Sequence, residues 1–349
     1  MSMQTKHPNM RLGDLSVGFV HAIAAASELH GQPATELLEK FELTPERLAQ
    51  PHARLSIPRY MRLGHAAIQL TGNSALGLTI GQHTLLSHLG LAGVTAAQAP
   101  NVRAAARCIS RFEPLYAQNY RGASQLLEDS QGAWFSFYSI APYNVYNYFV
   151  VESVLLGWIN QLRHVCQRPL EVELIQIEYP EPSYAAAFSK LLSCPIEFNA
   201  PHNRIRLNKN SLALSNPQHC ASTWYGLLEL CEQQLAIKTR SSSLVEQVKQ
   251  LIAPLLKNGE PSIALIAKKM QLPTWTLRRR LAAQGTQFRA LINQTRYDLA
   301  CSYIRDTELT FSEISWLLGF SSAEAFQRAF KRWSQQTPGQ FRQSIQRPV

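Results

Sequence analysis

Two predicted helices in the last third of the chain carry side chains suited to contacting nucleic acid. In the first, about residues 274–284, the inner face is formed by Leu277 and Leu281. The second opens with a Ser321-Ser322-Ala323-Glu324 capping box and turns inward Phe326, Phe330 and Trp333. The outer faces then hold Trp275, Arg278, Arg279, Glu324, Gln327, Arg328 and Lys331. Arginine can donate two hydrogen bonds to guanine, glutamine can pair with adenine, and basic side chains at helix ends neutralise phosphates.

These helices belong to two helix-turn-helix patterns joined by a long helix. The first pattern, about residues 262–284, has a buried face of Ile263, Ile266, Ala267 and Met270. The second, about residues 310–334, places Gly319 at a helix end and turns inward Ile314 and Leu317 or Leu318. Residues 287–305 predict a connecting helix with an inner stripe of Phe288, Leu291, Ile292, Thr295 and Leu299. Such a helix spans roughly 28 Å, which approaches the roughly 34 Å of one turn of B-DNA.

The charge of the chain is concentrated in the same region. The 349 residues carry a formal charge of +10. Residues 241–349 hold 15 Lys and Arg against 7 Asp and Glu, whereas residues 1–240 hold 19 against 17. This asymmetry favours a polyanionic partner for the C-terminal segment. An ordinary helical bundle with solvated arginines would also fit these patterns.

Composition excludes several other classes of protein. With 46% hydrophobic and 17% charged residues, the chain is typical of folded globular proteins. It has no run of eighteen apolar residues and no apolar signal-peptide core, so we expect a cytoplasmic protein without a membrane partner. The six cysteines form no C-x-x-C pair and are expected to be free thiols. His83 and His88 are badly spaced for one helical face, so we predict neither a metal site nor a cofactor.

The polar stretch at residues 236–243 predicts a linker between two domains. The predicted bounds are 1–235 for the first domain and 244–349 for the second. Helical patterns of the first domain lie around residues 16–30, 33–41, 57–71, 101–117, 146–166 and 183–192. Strand patterns lie around residues 123–128, 133–140, 171–179 and 204–207, with a hairpin turn at 128–132. We therefore expect an α+β domain followed by an all-α domain.

Residues 261–342 resemble the DNA-binding domain of AraC/XylS-type transcriptional regulators. The resemblance rests on PSIALIAKKM, TLRRRL, SYIRD and FSEISWLLGFSSAEAFQRAFKRWSQQTPGQFR. Its most specific parts are Gly319-Phe320, Phe326-x-Arg328-x-Phe330-Lys331 and Thr337-Pro338-x-x-Phe341-Arg342. This chain departs from the family at Gln271, where Gly is usual, and at Pro273, where a Ser that caps the next helix is usual. We predict that Thr274 caps this helix instead.

The resemblance also implies which side chains contact DNA. In the first recognition helix the base-reading positions are Trp275, Arg278 and Arg279. In the second they are Ala323, Glu324, Gln327 and Arg328, while Lys331 and Arg332 are better placed for phosphates. A regulator of this family is expected to be a homodimer that binds double-stranded promoter DNA, works with RNA polymerase and activates transcription.

Residues 14–215 resemble the N-terminal domain of AraC-type regulators of ornithine and arginine utilisation, an arabinose-binding type of sensor domain. The shared segments are Gly77-Leu78-x-x-Gly81, Leu89–Gly93, Ala99–Arg103 and Cys194-Pro195-x-x-Phe198. This resemblance implies a small-molecule effector and dimerisation through the first domain.

Residues 134–149 are unusually aromatic, with eight Phe, Trp and Tyr. They are expected to pack in the core, or alternatively to line an effector pocket through Trp134, Tyr138, Tyr143 and Tyr146. An enzymatic first domain is a competing hypothesis, but the sequence holds no P-loop, G-x-S-x-G, H-E-x-x-H or paired-cysteine motif, and we predict no enzyme. A third hypothesis is an architectural DNA binder that needs no effector.

Overall fold

The computed structural model describes residues 12–240 and 243–346. Residues 14–237 form one compact unit, and the described residues from Lys238 onward form a second. The predicted domain bounds stay predictions, and residues 241 and 242 of the predicted linker lie outside the described residues. Residues 236–240 of that linker are helical, because the last helix of the first unit continues to Arg240.

The first unit is built from helices and two small sheets. Its helices are α1 (Gly18–Leu29), α2 (Ala34–Lys40), α3 (Pro45–Leu48), α4 (Ile57–Thr71), α5 (Leu76–Gln82), α6 (Leu91–Ala97), α7 (Val102–Arg111), α8 (Glu113–Tyr116), α9 (Tyr148–Cys166), α10 (Ala186–Leu191), α11 (Lys209–Ala213) and α12 (Ala221–Arg240). Its strands are β1 (Gly13–Ser16), β2 (Arg54–Ser56), β3 (Ala117–Asn119), β4 (Gln125–Glu128), β5 (Gly132–Phe137), β6 (Leu174–Gln176), β7 (Ile196–Glu197) and β8 (Asn203–Asn208).

The strands form one sheet in the order β2-β1-β3 and another in the order β4-β5-β8-β6-β7. Strands β4 and β5 make the predicted hairpin, in which the Asp129 N–H bonds to the Gly132 carbonyl. Strand β5 pairs antiparallel with β8, with Phe135 opposite Ile205. Since β1, β2, β3 and β7 span only two to four residues, they are too short to show the alternation that identifies a strand in sequence.

Helix α9 is the central element of the first unit. Its buried side chains include Val151, Leu155, Ile159 and Leu162. The indole of Trp158 stacks on Phe135 of β5 with ring centroids 3.7 Å apart. On the other side of α9, helix α5 approaches closely because Gly81 has no side chain. A Cβ at this position would lie only 2.6 Å from the Leu156 Cβ. The Gly77-x-x-x-Gly81 spacing therefore lets the two helix backbones pack directly together.

The second unit is helical over its described residues. Its helices are α13 (Leu244–Ile252), α14 (Ile263–Lys269), α15 (Thr274–Ala283), α16 (Phe288–Asp306), α17 (Phe311–Leu317), α18 (Ala323–Ser334) and α19 (Pro338–Gln346), with a 3-10 segment at Ala253–Asn258. The predicted capping box of Ser243 and Glu246 begins α13. An α+β unit followed by a helical unit confirms the predicted fold class.

Candidate nucleic-acid interface and effector cavity

The first helix-turn-helix unit consists of α14 and α15. The Ser262 hydroxyl caps α14, and Ile266 and Ala267 are buried against the rest of the unit. At the turn, Gln271 has a left-handed backbone with φ of 55°, and the Leu272 N–H bonds back to the Ala267 carbonyl. Helix α15 then buries Leu277 and Leu281, as predicted. The predicted cap at Thr274 is wrong: Pro273 holds the cap position without a side-chain bond, and Thr274 is the first helical residue.

The second helix-turn-helix unit, α17 and α18, repeats this geometry. Gly319 has φ of 69°, and the Phe320 N–H bonds back to the Ser315 carbonyl. Gln271 and Gly319 therefore occupy equivalent left-handed positions in the two turns. The predicted capping box at Ser321 is wrong, since the Ser322 hydroxyl accepts the Ala325 N–H instead and the helix starts one residue later.

Helix α15 exposes the three predicted base-reading side chains together. The indole of Trp275 is 63% exposed, and Arg278 and Arg279 are exposed beside it. The guanidinium carbon of Arg279 lies 5.1 Å from the Trp275 ring centroid. This cation–π contact holds two of the predicted contact residues on one face of the helix.

Helix α18 presents a mixed polar and basic surface. Ala323 is half-buried, but the other predicted contact residues of this helix are exposed. These are Glu324, Gln327, Arg328, Lys331 and Arg332. A hydrogen bond with Ser322 lowers the pKa of the Glu324 carboxyl, so this carboxyl is anionic at neutral pH. A carboxylate can accept a hydrogen bond from the amino group of cytosine but repels phosphate.

Helix α16 lies between the two helix-turn-helix units in the chain and makes a buried polar contact with α13. Its Asp298 side chain is 2% exposed and accepts a bond from Lys249 Nζ of α13 at 3.0 Å and from Gln294 Nε2 at 2.8 Å. The predicted inner stripe is buried at Leu291, Ile292, Thr295 and Leu299 and half-buried at Phe288. Helix α16 contacts α13, α17, α18 and α19, whereas α15 is attached to this framework through α14, which contacts α13.

The first unit contains a cavity of about 90 Å³ beside α9. Its wall is mostly apolar and aromatic, with contributions from Phe19, Tyr60, Phe137, Tyr138 and Trp158. Polar atoms reach it from Glu113 and Gln161, which are buried at 6% and 2% exposure. An apolar concave space with a few polar groups has the properties of a small-molecule site.

Only one of the four aromatic residues predicted for an effector pocket lines this cavity, namely Tyr138. Trp134 lies on the other face of β5, where the Arg204 guanidinium carbon is 3.7 Å from the centre of its ring. The Tyr143 hydroxyl bonds to Glu178, and the Tyr146 ring packs on His65 at 4.3 Å. The structure therefore does not bring the four together.

The sequence prediction missed Glu113 and Gln161. A signal for Gln161 was present: Ser153, Gly157 and Gln161 recur every four residues within a largely apolar helix, which puts a small and polar stripe on one face. No comparable signal marked Glu113. The sequence predicts one helix over residues 101–117, whereas the structure breaks it at Phe112, and Glu113 begins the separate helix α8.

Comparison with protein families matches two separate segments of the chain. Residues 31–216, more than half of the chain, match the arabinose-binding N-terminal domain of AraC transcription regulators. The chain belongs to the AraC family. Residues 266–344 match a helix-turn-helix domain model. This AraC-type chain is therefore a DNA-binding transcriptional regulator with an N-terminal ligand-binding domain, as the sequence predicted.

Among curated proteins, this AraC-type regulator is similar to the ornithine utilization regulator of Pseudomonas aeruginosa. The two are 25% identical over 337 residues, which cover 94% of this chain and 96% of that protein. VirS of Mycobacterium tuberculosis is 22% identical over 312 residues, covering 89% and 91%. VqsM of Pseudomonas aeruginosa is 33% identical over 96 residues, covering 28% and 30%. The solved structure of CdpR from Pseudomonas aeruginosa aligns with a TM-score of 0.43 at 22% identity, covering 88% and 96%.

None of the helices within residues 12–240 and 243–346 is long and apolar enough to cross a membrane.

Proposed function

We propose that this regulator activates transcription by placing α15 and α18 in two successive major grooves of promoter DNA. The observation that carries this proposal is the exposure of Arg278, Arg279, Gln327 and Arg328 on those two helices. Helix α16 has 19 residues, a length of about 28 Å. This spacer suits grooves that recur roughly every 34 Å along one face of B-DNA.

Each exposed side chain has a chemical role in this proposal. Arginines 278, 279 and 328 donate to guanine, and Gln327 pairs with adenine. Glu324 accepts from cytosine, and Ala323 contacts a thymine methyl group. Trp275 packs beside Arg279, while Lys331 and Arg332 bind phosphates.

The first unit would control this activity by binding a small-molecule effector in the cavity beside α9. It would also pair two copies of the chain, a proposal supported by exposed apolar side chains on α12 at Tyr225, Leu230 and Ile237. Two relatives of the C-terminal region are named as activators, CsvR at 32% and a urease operon activator at 36% identity, both of Escherichia coli. These names support activation of transcription. We further propose that the regulator acts with RNA polymerase in the cytoplasm, where promoter DNA lies, and without catalysis.

The DNA proposal is tested by selecting duplexes from a random pool with the full chain and footprinting the selected site. We expect two protected major-groove blocks on one face of the duplex, separated by about one helical turn. Equal affinity for selected and unrelated duplexes would identify an architectural binder and overturn the proposal.

The effector proposal is tested by thermal unfolding of the full chain with a panel of amino acids, aromatic acids, amines and fatty acids. A ligand that binds only the native state raises the melting temperature. Val154→Phe fills the cavity from α9 and should abolish the stabilisation, whereas Arg168→Ala on the surface should not. Stabilisation that persists in the Val154 variant would place the effector elsewhere.

A further inference from the structure

We propose that the cavity beside α9 binds an aromatic amine, whose ammonium group pairs with Glu113 and whose ring packs among the aromatic side chains of the wall. This inference rests on the proposed function of the cavity as the effector site and names the class of molecule it takes.

The wall of the cavity suits a ring. Phe19, Tyr60, Phe137 and Trp158 all contribute to it. The Trp158 indole is held in place by its stacking on Phe135, and its edge meets Phe137 with ring centroids 6.3 Å apart. Aromatic side chains fixed in this way give a ligand ring stacking and edge contacts without a further loss of side-chain freedom.

Glu113 provides a buried carboxyl group that the first unit leaves without a cationic partner. Its two carboxylate oxygens accept bonds from the Ser124 backbone N–H at 2.6 Å and the Ser124 hydroxyl at 3.1 Å. No Lys, Arg or His lines the cavity, and none of the described residues makes an ion pair with this carboxylate. Each oxygen has a second lone pair, so an ammonium group in the cavity can bond to it.

The same arrangement disfavours a carboxylate ligand. An acid in the cavity would place its charge near the Glu113 carboxylate without a cation to offset either charge. Burial already raises the pKa of Glu113 to about 7, and the Ser124 bonds offset only part of that rise. A bound ammonium would lower this pKa, whereas a bound carboxylate would raise it further.

Gln161 offers a second acceptor on the wall. Its Nε2 donates to the Leu85 carbonyl at 3.5 Å, while its buried Oε1 has no hydrogen-bond partner. An unpaired buried acceptor costs about 1–3 kcal/mol, and a hydroxyl or N–H on the ligand would satisfy it. The expected ligand is therefore an aromatic amine that also carries a second hydrogen-bond donor for Gln161, such as a phenol hydroxyl.

Three probes that share a phenol and differ in their terminal group test this proposal: tyramine, tyrosol and 4-hydroxyphenylacetate. Titration calorimetry on the full chain at pH 8 should show tyramine binding about 10-fold or more tighter than 4-hydroxyphenylacetate. Glu113→Gln can keep both Ser124 bonds, with its Oε1 toward the N–H and its Nε2 toward the hydroxyl. This variant should lose about 10-fold in tyramine affinity and less than about 3-fold in tyrosol affinity.

A measurement on the unaltered chain makes the result independent of how the variant folds. At pH 7 an ammonium that pairs with Glu113 should expel roughly half a proton, read from calorimetry in two buffers of different ionisation enthalpy. Tyrosol should expel none. Tighter binding of 4-hydroxyphenylacetate than of tyramine overturns the amine proposal, as does a tyramine affinity that Glu113→Gln leaves unchanged.

The two proposals fail in different ways. If tyramine does not bind but another metabolite stabilises the chain and loses that effect in Val154→Phe, the amine class is wrong and the sensing cavity stands. If every stabilising metabolite acts equally on the Val154 variant, the effector site itself is wrong.

Discussion

The Nε atom of Arg296 donates a hydrogen bond to the Leu318 carbonyl oxygen at 3.0 Å. Arg296 is buried in the middle of α16, and Leu318 is the C-cap of α17. The guanidinium carbon also lies 5.1 Å from the Phe320 ring centroid, and Nη1 is 3.7 Å from a Glu260 oxygen. The connecting helix thus satisfies an end carbonyl of α17 at the turn that precedes the second recognition helix.

Replacing Arg296 with Met should therefore destabilise the second unit. Methionine keeps the apolar stem but leaves the buried Leu318 carbonyl unpaired. Loss of a hydrogen bond to a charged donor lowers the free energy of unfolding by about 1.5–3 kcal/mol. Arg289→Met, exposed on the same helix, should change the free energy of unfolding by less than about 0.5 kcal/mol. Denaturant unfolding of both variants checks this, and equal stabilities would show that the Arg296 bond contributes nothing.

Gly319→Ala should cost more than Gly285→Ala, although both glycines have φ close to 70°. A Cβ at Gly319 would lie 2.0 Å from the Leu256 carbonyl oxygen, whereas one at Gly285 meets nothing within 4 Å. The backbone penalty alone is about 1–2 kcal/mol, so we expect that loss for Gly285→Ala and a clearly larger one for Gly319→Ala. Thermal unfolding of the pair separates backbone strain from steric overlap, and equal losses would contradict the close approach.

Arg278→Ala and Arg328→Ala should each weaken binding to a selected duplex by about 1–3 kcal/mol and relax the base preference at one position. The two residues lie on different recognition helices, so each variant should lose protection in only one of the two blocks. Arg168→Ala removes the same charge from an exposed position of the first unit and serves as the control. Unchanged footprints in both variants would remove these residues from the interface.

Much of the DNA-binding unit could be predicted because its signals are local. Leu277 and Leu281 are one helical turn apart, and a glycine at position 319 marks a helix end. Even there, two adjacent serines, 321 and 322, offered two caps one residue apart, and only the backbone decides between them. Gln271 shows a related limit, since a left-handed residue that is not glycine carries no sequence signature.

The effector cavity could not be predicted in the same way because its wall comes from distant segments. The alternation of residues 134–138 predicts a strand covered on both faces but not what covers each face. Arg204 of β8 covers Trp134, and Trp158 of α9 covers Phe135. Those contacts depend on strand pairing and helix packing, which local spacing does not encode.

Lys331→Ala should weaken DNA binding in a salt-dependent manner that differs from the loss of a base contact. If Lys331 neutralises one phosphate, the negative slope of log affinity against log salt should become less steep by about 0.9 with little change in base preference. Gln327→Ala changes a neutral side chain on the same exposed face and should leave that slope unchanged while altering base preference. Titrations between low and moderate salt test this, and an unaltered slope for Lys331→Ala would exclude a phosphate contact.

Two buried carboxyl groups should make the first unit less stable as the pH rises. Burial raises the pKa values of Glu113 and Glu152 from 4.5 to about 7. The groups that face them are tyrosines, Tyr116 and Tyr138 for Glu113 and Tyr179 and Tyr184 for Glu152, whose own pKa values burial raises further above neutral. These phenols stay neutral between pH 5 and 8. Burial lowers the pKa of His88 from 6.5 to about 4, so proton binding to the unfolded chain at His88 offsets part of the fall between pH 5 and 6.5.

The sign follows from proton binding. Below pH 4.5 the folded and unfolded chains both hold these protons, and above pH 7 neither does. Between the two values only the folded chain holds them, so the free energy of unfolding falls as the pH rises through this window. Each group contributes on the order of 3 kcal/mol to the fall. Glu113→Gln should reduce the decrease measured by denaturant unfolding from pH 5 to 8 by its own share, on the order of 3 kcal/mol. A decrease as large as that of the unaltered chain would mean that Glu113 titrates near its ordinary pKa.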